Sequence, residues 1–275
     1  ALLPLVISVP LALIGLGYWS LIIGSTCGVL ANAVLLTIRS SWKPKLYYDF
    51  ELLKRMFSFS IWSLIEAISI WLTNWVDILI IGSGLNEYYL GLYKTSLSMV
   101  NSLLAIITAS VKPVLFSALS RLQNDNEKFT AMFFNVQRIV AYLAFPLGVG
   151  IFLYRDLAVK VMLGEKWAEA GSVIGIWALT STLVVVSNLN SEVYRSKGRP
   201  KVSFISQLIH LFFLVPTCIV SLKYGFKPLV YARALIRLQA VFTGLIMMQT
   251  FMQIKAVNML KNISKPVFCT VIMTI

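Results

Sequence analysis

The chain has 275 residues, 58% of them hydrophobic and only 13% charged, with a formal net charge of +13. So apolar a composition excludes an ordinary soluble domain and marks an all-α polytopic membrane protein. A single histidine, His210, and three scattered cysteines, Cys27, Cys218 and Cys269, exclude a His-rich metal site and a disulfide framework.

Crossing about 30 Å of hydrocarbon takes about 20 helical residues. Residues 2–14 are too few to cross and end at Gly15 and Gly17. Residue 1 is not Met and both ends of the chain lie in apolar runs, so the sequence reads as a piece of a longer protein. Residues 18–38 form a full span, with Tyr18 and Trp19 as interfacial anchors. In the basic linker that follows, Arg39, Lys43, Lys45, Lys54 and Arg55 surround WKPKLYYDF. Pro44 stops one helix there and Asp49 N-caps the next.

The stretch 49–85 organises the chain, because a membrane-length run from about 50 to 81 carries two carboxylates, Glu66 and Asp77. With Ser63, Thr73 and Asn74 they share a sector roughly 100° wide. Carboxylates at such depth mark a transport pathway or ion relay, or else each pairs with a basic side chain that ties helices together. The span 89–116 has a second polar stripe, in which Lys94, Ser98, Asn101, Ala105, Thr108 and Lys112 lie within roughly 80° of arc. Either the stripe lines a hydrophilic cavity, or its two lysines snorkel to opposite interfaces.

Residues 133–154 span next, past Arg138 and through Pro146, Gly148 and Gly150, a pattern that fits a kink lining a cavity or a bent packing helix. YRDLAVKVMLGEKWAEAG is amphipathic and suits the membrane surface. Spans follow at 172–193, where Thr180, Ser187 and Ser191 share a face, and then at 202–222 and 229–251, with the basic turn YRSKGRPK before 202. IKAVNMLKNISK reads as a further basic linker, with a helix beginning at Pro266. The total is seven complete spans and two partial ones. No Gly-rich phosphate loop, nucleophile elbow or Cys/His cluster occurs, so no enzyme signature or cofactor is implied.

The linkers at 39–55, 112–138, 195–201 and 255–265 hold most of the Lys and Arg and alternate across successive spans, so all four are expected to be cytoplasmic. That asymmetry accounts for the basic balance without nucleic acid. Lys94, Arg233 and Arg237 remain inside spans. Arg233 and Arg237, four apart on one face, form a fork for phosphate or carboxylate groups, or else pair with Asp77 or Glu66 as structural ties.

GLGYWSLIIG, the WKP linker, WVDILIIGSGL followed by LGLYKTS, Pro113, RIVAYLAFPLGVGIFL, LGEKWAEA and YRSKGRPK resemble, in order and spacing, the bacterial Wzx-type O-antigen and exopolysaccharide flippases. The similarity is to the colanic-acid-exporter-like branch of the superfamily that also holds multidrug extruders and the peptidoglycan-precursor flippase. Asp77, Arg138, Pro146, Gly164 and Trp167 match recurring positions, whereas Lys94, Arg233 and Arg237 do not and Ser96 replaces a usual Ala. The resemblance implies a two-lobe alternating-access transporter. Residues 1–38 would end the N-terminal lobe, 39–55 form the cytoplasmic inter-lobe linker, 56–252 form the six-helix C-terminal lobe, and 253–275 hold a further linker and helix start.

The implied cargo is a polyprenyl-diphosphate-linked oligosaccharide crossing the bacterial inner membrane, with membrane lipids and polymerase or assembly proteins as partners. On this reading Lys94, Arg233 and Arg237 offset the desolvation of the diphosphate. Ser98, Asn101, Thr108 and Asn74 hydrogen-bond sugar hydroxyls, and Asp77 and Glu66 are candidates for coupling to H+ or Na+. The alternatives are an ion-coupled multidrug extruder of the same superfamily and a membrane glycan polymerase or ligase.

Overall fold

The computed structural model describes residues 3–40 and 48–274, which form helices and short connections. The expected linker residues Lys43, Pro44 and Lys45 lie outside them, as does the side chain of Arg55. The chain divides into two units, Ala1–Leu53 and Lys54–Ile275, with the boundary inside one long helix.

The first unit is a helical hairpin. Helix α1, Leu3–Leu13, turns through Gly15 and Gly17, both at positive φ, into α2, Tyr18–Arg39. Without water to drive apolar groups together, helices in lipid associate through close packing of small residues. Gly24 and Gly28, one turn apart on α2, supply that contact: a Cβ on Gly24 would lie 2.9 Å from the Pro4 carbonyl oxygen, and one on Gly28 2.6 Å from Pro4 Cγ.

The second unit begins within α3, Phe50–Gly84, whose first turn is capped as expected by Asp49 accepting from Leu52 N at 3.1 Å. Helix α4, Glu87–Arg121, is capped by Asn86, and α5, Asn126–Leu153, by Asp125. Each of α3 and α4 has 35 residues, about 52 Å of helix, longer than the hydrocarbon is thick. The amphipathic α6, Arg155–Met162, and a 3₁₀ turn, Glu165–Trp167, lead to α7, Ala170–Ser187, and α8, Asn190–Ser196. Helices α9, Pro200–Leu222, α10, Phe226–Met252, and α11, Ala256–Met273, complete the unit.

The α7–α8 span is the most deeply buried, and α7 packs on α4, α5, α6 and α10. Gly148 on α5 sets one of these approaches. A Cβ there would meet Thr182 and lie 3.1 Å from the Ala178 carbonyl oxygen, so this glycine serves helix packing and leaves no room for a cavity. Gly148→Ala is expected to lower stability by about 1–3 kcal/mol through overpacking, measured as a fall in the melting midpoint of the purified protein.

Among the described residues, seven helical spans are long and apolar enough to cross a membrane: Tyr18–Arg39, Ser60–Gly84, Glu87–Arg121, Asn126–Leu153, Ala170–Ser196, Pro200–Leu222 and Phe226–Met252. They coincide with the seven predicted spans, and the protein is an all-α, multi-pass membrane bundle.

Two local differences stand out. The span expected at 172–193 runs through Ala170–Ser196 and tightens for one turn after Ser187, as described below. The helix expected from Pro266 starts ten residues earlier, at Ala256, because Asn262 is clamped to α5. Its Nδ2 donates to Phe134 O and Gln137 Oε1, both at 2.9 Å, while Arg138 Nε and Nη2 donate to its Oδ1 at 3.0 and 2.9 Å.

Three of the basic linkers meet at one end of the second unit. Lys197 Nζ donates to Gln123 O and to Asn126 Oδ1, and Arg199 Nη1 donates to Phe251 O at 3.0 Å. Helix α3 differs from its neighbours: among the described residues, its ties to α8, α9 and α10 run through side chains rather than close backbone packing.

Candidate functional site

These side-chain ties adjoin an open cleft of about 380 Å³ lined by α3, α4, α7, α8, α9 and α10. Four cationic side chains, Lys112, Arg195, Arg233 and Arg237, line it against two carboxylates, Glu66 and Glu192, with the remaining polar wall neutral.

One cluster is built on Asp77, only 2% exposed. Arg233 Nε on α10 and Tyr93 Oη on α4 both donate to Asp77 Oδ2 at 2.8 Å, and Ile78 N donates to Oδ1 at 2.8 Å. A buried ion pair offsets its own desolvation only when such added hydrogen bonds complete it. Arg233 Nη1 is buried without a hydrogen-bond partner among the described residues.

Arg237, one turn along α10 from Arg233, is held differently. Its guanidinium lies 3.8 Å over the ring of Trp177, and Nη1 donates to Ser181 Oγ at 2.7 Å and Thr180 Oγ1 at 3.4 Å. No carboxylate pairs with it among the described residues, so neutral groups aim the cation without cancelling its charge. Trp177 is fixed in turn by its Nε1 donating to Asn101 Oδ1 at 3.2 Å.

A second cluster surrounds Glu66, which is fully buried and lies about 16 Å from Asp77 along α3. Arg195 on α8 donates to it through Nη2 at 3.0 Å and Nε at 3.4 Å, and Ser203 Oγ on α9 donates at 2.6 Å. Between the clusters Gln207 Nε2 donates to Thr73 Oγ1 at 2.5 Å. Glu66, Thr73 and Asp77 of the predicted polar face of α3 are thereby engaged by other helices.

Of the residues singled out in the sequence, Glu66, Thr73, Asn74, Asn101, Lys112, Ser187, Ser191, Arg233 and Arg237 line the cavity, while Asp77 sits behind the wall that Arg233 forms. The two arginines divide between the alternatives open for them: Arg233 is tied to Asp77, and Arg237 is free of any described carboxylate.

The α4 stripe faces elsewhere. Tyr93, Ser96, Val100 and Leu104 pack inward, and Lys94, Ser98 and Ala105 lie roughly 150° around the helix from them. Lys94 is exposed, with its ammonium 5.6 Å from the Trp75 ring, and Thr108 turns back toward the Leu104 and Ala105 carbonyls. Only Asn101 and Lys112 of the stripe reach the cavity. Lys94→Ala is therefore expected to change stability by less than about 0.5 kcal/mol, read from the melting midpoint.

Sequence reasoning missed Trp177, Asn190, Glu192, Ser203 and Gln207 and placed Arg195 in a basic turn, whereas it lies on α8 and lines the cavity. Helical periodicity shows which face a residue occupies, but not which distant helix meets that face.

The profile of the family described as "Polysaccharide biosynthesis protein" matches residues 1–172. The chain is 28% identical over 180 residues to the teichuronic acid biosynthesis protein TuaB of Bacillus subtilis, covering 66% of this chain and 37% of that one. It is 24% identical over 214 residues to the lipopolysaccharide biosynthesis protein WzxC of Escherichia coli, covering 74% and 43%. The chain thus spans about two-fifths of the length of these curated relatives. Its fold matches the lipid II flippase MurJ in an inward closed conformation with a TM-score of 0.68 at 17% identity, covering 98% of this chain and 58% of that one. With its profile matched over more than half of its length, this multi-pass membrane chain belongs to the polysaccharide biosynthesis protein family.

Proposed function

We propose that the chain forms part of a transporter, rather than an enzyme, that moves a polyprenyl-diphosphate-linked oligosaccharide from the cytoplasmic to the outer face of the bacterial inner membrane. The observation that carries this reading is Arg237, buried beside the cavity without a described carboxylate partner and aimed by Trp177, Ser181 and Thr180. A buried guanidinium held by neutral groups is costly unless an anion visits it, and a diphosphate stripped of water needs such a partner. The relatives' names, which concern teichuronic acid and lipopolysaccharide synthesis, support a glycan cargo, and the likeness to a lipid II flippase supports the fold of a flippase.

In this reading residues 1–38 close one lobe and residues 56–252 form the other. The mechanism is alternating access, in which the cavity opens to one side and then the other while the prenyl chain stays in lipid. Asp77 and Glu66 serve as coupling groups: uptake of H+ or Na+ by either carboxylate removes the counter-charge that holds Arg233 or Arg195, and so shifts the conformational balance. The cavity's excess of cations disfavours a transporter for cationic drugs.

The test uses the full-length protein in liposomes, with outward movement of a fluorescent polyprenyl-diphosphate oligosaccharide followed with and without proton or sodium gradients. Protein-dependent movement supports the reading, and its absence with correctly folded protein rejects it. Dependence on one gradient identifies the coupling ion.

A further inference from the structure

We propose that the tightened turn between α7 and α8 forms a subsite for the first sugar of the cargo, with Asn190 and Glu192 as the residues that distinguish a glycosylated diphosphate from a bare one. The inference rests on the transport reading above and adds which part of the cavity reads the sugar.

The backbone provides the first observation. Helix α7 ends at Ser187 and α8 starts at Asn190. Across the gap the hydrogen bonding tightens from the α pattern, with Leu189 N donating to Val186 O at 3.4 Å and Glu192 N to Leu189 O at 3.1 Å, while Ser191 Oγ donates to Asn188 O at 2.7 Å. The dihedrals of Asn188 and Leu189 stay right-handed helical, so the span tightens for one turn without unwinding, and it does so beside the cavity. Ser187, Asn188, Asn190 and Ser191 all line the cavity.

The side chains provide the second. Asn190 is 3% exposed, yet neither its Nδ2 nor its Oδ1 has a hydrogen-bond partner among the described residues. Buried amides almost always have partners, so a donor and an acceptor left open on a cavity wall point to a ligand that supplies both. Glu192, 6% exposed, accepts only a 3.4 Å contact from Ser191 Oγ and forms no described salt bridge. Opposite, Gly244 brings the α10 backbone close: a Cβ there would lie 3.2 Å from Asn190 Nδ2 and 2.9 Å from Ser187 Oγ, so any side chain at this position would crowd the amide.

The chemistry selects a polyol. A metal cation would leave the Nδ2 donor unmatched and a phosphate the Oδ1 acceptor, whereas each sugar hydroxyl both donates and accepts. Position agrees with this choice. Gly244 lies seven residues from Arg237, on the same face of α10 and about 10 Å along its axis, so the cavity has an uncompensated cation at one level, while two turns away amides accompany Lys112 and Arg195, which Glu192 and Glu66 balance. A glycosyl diphosphate has the same polarity, charge followed by hydroxyls.

The experiment measures binding to the full-length protein in nanodiscs of undecaprenyl diphosphate and of undecaprenyl diphosphate carrying one hexose or one N-acetylhexosamine. Wild type is expected to hold at least one sugar-bearing form about tenfold more tightly than the bare lipid. Asn190→Leu should remove that preference, affect the bare lipid far less, and raise the melting temperature, because an unpartnered amide is replaced by an apolar group of similar size. Glu192→Gln, which keeps the shape, should weaken the sugar-bearing form selectively.

Equal affinity of wild type for all three lipids overturns the subsite and leaves the transport reading standing. So does discrimination retained by Asn190→Leu, or a lower melting temperature, which would show that the amide has a structural role. Failure of every lipid to bind folded wild type removes the transport reading, and this inference with it.

Discussion

Asp77→Asn is expected to destabilise the protein by about 3–5 kcal/mol, the cost of leaving one member of a buried ion pair without its counter-charge. The stranded group is Arg233, 5% exposed, whose Nε bond to Asp77 is its one described polar tie and whose Nη1 already lacks a partner. Tyr93 loses the charge of its acceptor at the same time. The double variant Asp77→Leu/Arg233→Met removes both charges together and should recover most of the loss, since buried pairs exchanged for apolar residues are often neutral or stabilising. Melting midpoints of the two proteins in one detergent decide the matter, and equal losses would show that stability does not depend on the pair. The double variant also separates roles: if it folds well yet loses gradient-dependent transport, the pair serves coupling rather than structure.

Arg237→Gln should show the opposite pattern, with binding lost and stability kept. Its guanidinium forgoes no described salt bridge when removed, so the melting midpoint should hold or rise. Affinity for undecaprenyl diphosphate should fall roughly 10- to 150-fold, corresponding to loss of a hydrogen bond to a charged group worth about 1.5–3 kcal/mol. Arg237→Lys should recover only part of this, because an ammonium cannot lie flat on Trp177 while presenting a fork to an anion. A variant that binds the lipid normally would exclude Arg237 as the diphosphate group.

These two arginines also show where sequence reasoning stops. Both were visible as cations out of place in an apolar span, and their four-residue spacing put them on one face. Which would be neutralised depended on Asp77, 156 positions away from Arg233, and on Trp177, whose indole was indistinguishable from any other apolar residue in its run. The seven spans were legible because hydrophobic length is a property of each segment alone. The α4 stripe shows the same limit: periodicity grouped Lys94 with Lys112, but the helix turns that face away from its packed side, and only Asn101 and Lys112 of the stripe line this cavity. Asn190 gave no signal because its distinction is a missing partner, a property of the assembled fold.

The bridges along α3 have a consequence for register. Glu66, Thr73 and Asp77 engage Arg195 with Ser203, Gln207, and Arg233 with Tyr93, each at its own level of the bundle. Apolar packing in lipid is forgiving of a shift by one turn, because a leucine that leaves one leucine finds another. Carboxylates are not forgiving: a slide of about 5.4 Å would strand Glu66 and Asp77 together, both in a medium that charges the full penalty for an unmatched ion. The helix therefore sits in the bundle as a notched key sits in its lock, admitted in one axial position and refused in those adjacent.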